Sequence, residues 1–492
     1  MTPALQAKCS LDFVPSFLPT VLSAAALLTL AACGGGGDGA STGPVQGLSI
    51  DVALASDGAA AAVAGSGRSR SLAVSASPAV GTLTLVTASA IGKAAGGSSV
   101  ACGISSDGAL VAFDSDSATL VAGDANQSVD VFVKNTRTGA VTRVSTDSNG
   151  LPLVGGASCL AMTPDGKSVV LQTAGGGNPY LPRVEPAIHV KNLVTGALTT
   201  VTPPLNAFPT TAAYQFQSVS DDGLRVAMIA APTTTYLGGY ETAANGPARA
   251  LLRDLRTGQL INLSLDVPLD LNQGVYDGRL LLSPDGSRLA FNSRINVPAA
   301  GDANGKSDVF LLNLATRAIA LVSSNSAGVQ ATISGPPLFN PPMRVIAFLA
   351  GGTQLAYEIP ADSTLGAAGA YVKNLNTGSS RLLFASGNTI LPPLSISDDA
   401  TQAAFDRPIY PPNAQQIDAV WLRDLRTGQE RRVNTTAGGV LGNNQSRLAR
   451  ISRDGSTVIF QSNATNLLPA AKIGYIYETF AKTVNAPVAA VQ

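Results

Sequence analysis

Two stretches of the 492-residue chain set acidic and amide side chains at the spacing of a cation-binding loop. They read Asp124-x-Asn126-x-x-x-Asp130 and Asp302-x-Asn304-x-x-x-Asp308. Ca2+ takes roughly six to eight oxygen ligands, and Asp or Asn at alternate positions of a tight loop supplies several of them. Neither copy is followed by the late bidentate Glu that completes an EF-hand loop. The competing reading is an Asx turn, in which the same side chains bond their own backbone on the way into a strand. Both readings stand at this level. Ca2+ is the one cofactor the sequence suggests, and these six residues are its candidate ligands.

Other chemistry is thin, and no catalytic residue is assigned. His189 is the single histidine, so a Ser-His-Asp mechanism would have to run through it. It lies within the apolar strand pattern Ile188–Val190, and no G-x-S-x-G elbow accompanies it. The four cysteines, Cys9, Cys33, Cys102 and Cys159, have no zinc-site spacing. Cys102 and Cys159 each precede an Asp-Gly turn in neighbouring repeats, which suggests a disulfide in an oxidising compartment, with two buried thiols as the alternative. The segments 161–168 and 300–307 match a loose phosphate-loop pattern but fall in β-turns rather than before a helix, so no nucleotide is expected. Hydrolysis by a carboxylate pair needs only Asp or Glu and stays open, although most Asp residues here are committed to turns.

The elements that must position these residues form a repeat, and the repeat decides the fold. One mark is a tight turn at Asp107-Gly108, Asp165-Gly166, Asp222-Gly223, Asp285-Gly286, Gly351-Gly352, Asp399-Ala400 and Asp454-Gly455. A continuous apolar run follows each, as in Val111-Ala112-Phe113 and Leu289-Ala290-Phe291. A strand buried on both faces reads this way. A second mark is an apolar strand running into a Thr-Gly-type turn, as in VFVKNTRTG from Val131 and WLRDLRTG from Trp421. The same interval separates Phe113 from Phe132 and Phe291 from Phe310, so the two Asp-Asn loops share one register. Lys134, Lys191, Arg253, Lys373 and Arg423 recur before the second turn and read as solvated strand residues. Tyr371 and Trp421 hold equivalent positions and read as core.

Each unit thus supplies four antiparallel strands, the make-up of a propeller blade. The last unit lacks a fourth strand, and an orphan, Leu83-Thr84-Leu85-Val86-Thr87, stands before the first complete unit. The expectation is an all-β fold: a seven-bladed β-propeller of four-stranded antiparallel blades over residues 81–485, closed by an N-terminal strand, with 486–492 as a tail. Composition agrees: Gly 50, Pro 30 and only 13% charged residues suit a turn-rich β protein. Lys+Arg and Asp+Glu stand at 32 each, so no global basic field exists to hold nucleic acid.

Upstream of the repeat, Val21–Ala32 is an apolar run too short to cross a membrane and suited to a signal-peptide core. It ends in Leu30-Ala31-Ala32-Cys33, which resembles the bacterial lipobox. That resemblance implies cleavage after residue 32, lipidation of Cys33, and a membrane partner through the lipid. Gly34, in place of the Asp that retains lipoproteins in the inner membrane, implies the outer membrane, facing the periplasm or the surface. Residues 33–80 then read as the lipidated Cys and a flexible Gly/Ala/Ser-rich linker.

The phrases SPDGSRLAFNS from Ser283 and GDANGKSDVFLLNL from Gly301 have sister copies at Ser105 and Gly123. They resemble the TolB-type, WD-like β-propeller repeat of bacterial envelope proteins. The resemblance spans about residues 81–485 and implies the fold more than any activity. The family's namesake carries an N-terminal α/β domain, where this sequence has the linker. The function expected is a lipid-anchored scaffold that binds a protein, an envelope component or another ligand. The alternatives are a propeller enzyme with a carboxylate or metal-assisted site at the channel mouth, and a Tol–Pal-like accessory.

Overall fold

The computed structural model describes residues 81–485 apart from several internal segments, the longest of them 174–185, 268–278 and 333–342. The segments expected as signal peptide, lipidated Cys33, linker and tail lie outside the described residues. Within them the strands form seven four-stranded antiparallel sheets and a two-stranded ribbon, Tyr236–Leu237 with Tyr240–Glu241. Blade 1 runs Ser99–Ile104, Leu110–Ser115, Asp130–Asn135 and Val141–Arg143. Blade 4 runs Leu280–Leu282, Arg288–Ser293, Asp308–Asn313 and Ile319–Leu321. Blade 5 opens with Arg344–Leu349.

Blade 7 takes three strands from the C-terminal end, Ser446–Ile451, Thr457–Ser462 and Glu478–Thr483. Its fourth is Leu83–Leu85, which pairs with the third in the register Leu83↔Lys482, Thr84↔Ala481, Leu85↔Phe480. The orphan strand therefore closes the ring as its pattern implies, and it covers a strand edge that would otherwise be open to another chain.

The first strands of successive blades touch one another around the ring, and blade 1 touches blade 7, so these strands line the axis. The apolar second strands explain the packing. Val111, Ala112 and Phe113 have no exposed surface, nor do Leu289, Ala290 and Phe291. The small central residue lets one sheet approach the next, and the apolar clusters lie between blades rather than within one. Phe113 pairs with Phe132 and Phe291 with Phe310, with ring centroids 5.7 and 5.3 Å apart, which is why the two Asp-Asn loops share a register. Each buried phenylalanine contributes on the order of 1.5–3 kcal/mol.

The lysines depart from the solvated role that their strand position suggests. Lys134, Lys191 and Lys373 are buried, and so is Lys482. Each reaches back to carbonyls that follow the fourth strand of the preceding blade. Lys134 Nζ donates to Ala88 O at 2.8 Å, Lys191 to Asp147 O at 2.8 Å, Lys373 to Ser324 O at 2.6 Å and Lys482 to Thr435 O at 2.8 Å. Burial brings the Lys134 ammonium down to about 8. A strand residue that looks solvent-facing within one blade is interior once the next blade packs on it.

Candidate functional site

Each Asp-Asn loop connects the second and third strands of its blade, and the third strand delivers its last Asp into the interior. Asp130 and Asp308 have no exposed surface. A buried carboxylate needs hydrogen-bond partners, and both find one in the fourth-strand segment. Ser145 Oγ donates to Asp130 Oδ1 and Ser323 Oγ to Asp308 Oδ1, each at 2.5 Å. The same hydroxyls accept the Val131 and Val309 amides. In blade 7 Glu478 occupies the matching place and accepts from Thr87 just past the closing strand. The amides make Asx turns: Asn126 Oδ1 accepts the Ser128 N–H at 3.2 Å, and Asn304 Oδ1 accepts the Lys306 N–H at 2.7 Å.

The two loops do bring their acidic residues together, but with N–H donors already among them. In blade 1 the Arg143 guanidinium lies 3.1 Å from Asp124 Oδ1 and 3.6 Å from Asp130 Oδ2. In blade 4 the Gln330 amide donates to Asp302 Oδ1 at 2.7 Å and to Asp308 Oδ2 at 2.8 Å. N–H donors thus stand between the acids in both loops, and among the described residues no group of three or more His, Cys, Asp or Glu gathers as a metal site would need. As arranged, the carboxylate oxygens of each loop are engaged by N–H donors, which favours the Asx-turn reading of these residues. Burial raises Asp308 to about 7, with the neighbouring Asp302 charge pushing the same way against the Ser323 and Gln330 hydrogen bonds. Asp124 is raised by burial and by Asp130, while Arg143 opposes the shift.

Cys102 and Cys159 form a disulfide between the first strands of blades 1 and 2, with Cα atoms 5.6 Å apart. His189 lies between Thr173 and Thr200, with Nδ1 3.2 Å from Thr200 Oγ1, and burial lowers its affinity for a proton. No acid accompanies it in those contacts. Tyr371 is buried, and Trp421 is half-buried beneath Arg407, whose guanidinium is 4.3 Å from the ring centroid.

The axis holds residues that the sequence reading does not single out. Arg279 directly precedes the first strand of blade 4, Arg344 begins that of blade 5, and Arg447 and Arg450 lie on that of blade 7. Arg344 faces Glu358 and Arg447 faces Gln461 across their strand pairs, and Arg279 stands opposite Asn292. Three blades thus carry arginine at one register position. Aligning the repeat copies on their first strands would have revealed that column.

Arg279 is solvent-exposed at the end of an axis-lining strand. Its enclosure, and then the Arg450 and Arg344 charges, lower its affinity for a proton. Arg344 is neutralised by Glu358, to which its Nε donates at 2.7 Å. Among the described residues neither Arg279 nor Arg450 has a carboxylate partner. Arg450 Nη1 donates to Cys102 O at 2.8 Å.

At the mouth formed by the Asp-Gly turns, Arg453 of blade 7 makes a bidentate pair with Asp221 of blade 3, at 2.5 and 2.7 Å. These blades are three steps apart in a ring of seven, so the pair crosses the axis. Backbone bonds join neighbouring turns there, among them Ser106 N to Pro164 O, Asp398 N to Arg453 O and Asp454 N to Ser106 O.

No protein-family model matches the sequence, and no curated protein matches it. Solved structures do. An oligogalacturonate lyase in complex with manganese superposes with a TM-score of 0.46 at 14% identity, over 82% of this chain and 89% of that one. An oligogalacturonate lyase from Vibrio parahaemolyticus gives 0.46 at 13% identity, over 82% and 90%. The β-propeller domain of the trilobed protease from Pyrococcus furiosus gives 0.35 at 13% identity, over 60% and 73%. Such a likeness is one of chain trace, at which ligand and reaction do not carry over.

Proposed function

We propose that the chain is a lipid-anchored envelope protein, a propeller of the TolB-like type, that binds a ligand or partner at its axis. The observation that supports binding over catalysis is the employment of its acids. Asp130, Asp308 and Glu478 are tied to hydroxyls of the closing segments. Asp107, Asp285 and Asp454 hold turn hydroxyls and amides. Asp114 and Asp406 accept backbone amides of the next blade. Acids so engaged serve the fold, whereas the axial arginines Arg279 and Arg450 have no carboxylate partner among the described residues.

The anchor rests on Leu30-Ala31-Ala32-Cys33, and Gly34 after the Cys supports the outer membrane, with the propeller reached through the linker. Palmitate labelling of cells tests it: wild type incorporates label and Cys33→Ala does not, while equal labelling of both would overturn the anchor. In-envelope crosslinking from axial positions tests binding, with a discrete adduct expected. Turnover of glycosides, lactones or peptides by the purified chain would instead make it an enzyme.

A further inference from the structure

We propose that the axis of the ring is a one-ended site for a small anion bearing carboxylate or phosphate groups, held by Arg279 and Arg450. The inference deepens the binding reading above and rests on it. First strands line the axis, and these two arginines come from blades three steps apart in the ring of seven, so they approach it from opposite sides. Like charges brought together in a partly enclosed space oppose folding unless an anion joins them. Each guanidinium offers a planar fork of N–H donors suited to a carboxylate or phosphate oxygen pair. Arg450 uses one nitrogen on Cys102 O and keeps the remainder unbonded among the described residues.

The site has a floor. The Arg453–Asp221 pair crosses the mouth at the Asp-Gly turns, and backbone bonds tie neighbouring turns along its rim. Arg279 and Arg344 lie at the opposite ends of their strands, with Arg450 deeper. An anion entering from that opposite mouth meets Arg279 first and Arg450 further in. A small ion fits this arrangement better than a polymer threading through.

The test is isothermal titration of the full chain in detergent with citrate and with pyrophosphate, which separates carboxylate from phosphate recognition. At least one is expected to bind, and Arg279→Gln and Arg450→Gln are each expected to weaken it tenfold or more. Arg279→Gln removes no side-chain hydrogen bond among the described residues, so it should fold, and relief of repulsion should raise its melting temperature without anion. Arg256→Gln, which breaks a pair with Asp222 in the turn region, should bind as wild type does. The proposal is overturned if neither anion binds, if both axial variants bind as wild type does, or if Arg256→Gln weakens binding equally. A crosslinked partner with no anion binding would retain the binding function and reject only this ligand class.

Discussion

Blades 1 and 4 carry nearly the same phrase and solve its electrostatics differently. In both, a loop of Asp, Asn and Asp enters the third strand and its last acid bonds a serine from the closing segment. Blade 1 then sets Arg143, a cation on its own fourth strand, between the two acids. Blade 4 has Leu321 at that register position, opposite Phe310 as Arg143 is opposite Phe132. It answers with Gln330 from the connection to the next blade, where blade 1 has Pro152. The counter-group is a full charge in one case and a neutral amide in the other. Asp308 reaches about 7 and shares its site with Asp302 by holding a proton over much of the acidic range. The motif is therefore a bracket whose counter-group is interchangeable, which a ligand shell would not allow.

The largest effect should come from removing the cation. Arg143→Leu leaves Asp124 and Asp130 without a counter-charge and should cost about 3–5 kcal/mol at pH 7, read from urea unfolding. Gln330→Leu should cost less, about 1–3 kcal/mol, because the blade 4 pair can take up a proton. Equal losses in the two blades would erase the distinction.

A pH series sharpens it. The folded-state value of Asp308 lies above the unfolded one, so the folded chain binds the extra proton between about pH 4 and pH 7. Its contribution is fullest at the acid end and is lost as pH rises through about 7. Asp308→Asn should flatten the fall in stability across that window by on the order of a few kcal/mol. Leu321→Arg, which moves the blade 1 solution into blade 4, should flatten it too, by drawing Asp308 down. Asp114 and Asp406, each raised by burial to about 6, contribute slopes of their own, so the difference from wild type is the quantity to read.

The smallest effects belong to the Asx turns. Asn126→Ala and Asn304→Ala should each cost about 0.5–1.5 kcal/mol. In amide exchange, Asn304→Ala should expose the connection through Ala331, to whose carbonyl its amide donates at 3.2 Å, and Asn126→Ala should leave the equivalent blade 1 connection protected.

What the sequence makes legible is what repeats locally. Seven tight turns, the small-bulky second strands and the orphan Leu83–Leu85 lead to the closed ring, because each is set by neighbours along the chain or by a period of one blade. The Cys102–Cys159 pairing follows from equivalent positions in adjacent blades. The counter-groups do not announce themselves in this way. Gln330 and Arg143 come from different elements, and the lysine clamps are interior only because the next blade covers them. Arg453 and Asp221 meet across the axis from opposite sides of the ring. These partners are fixed by closure of the whole structure, so a reading along the strand sees surface charge where the folded chain has struts and a floor.

The central claim is that the acidic loops are structural and the axis binds anions. Thermal unfolding of the full chain with millimolar Ca2+ in one series and pyrophosphate or citrate in another tests both halves at once. A ligand that binds only the folded chain stabilises it by about 2.7 kcal/mol at a hundredfold excess over Kd. The account predicts a melting temperature unmoved by Ca2+ and by its chelation, and raised by at least one of the anions in wild type but not in Arg279→Gln. A rise with Ca2+ that is lost in Asp308→Asn, with no response to either anion, would contradict it.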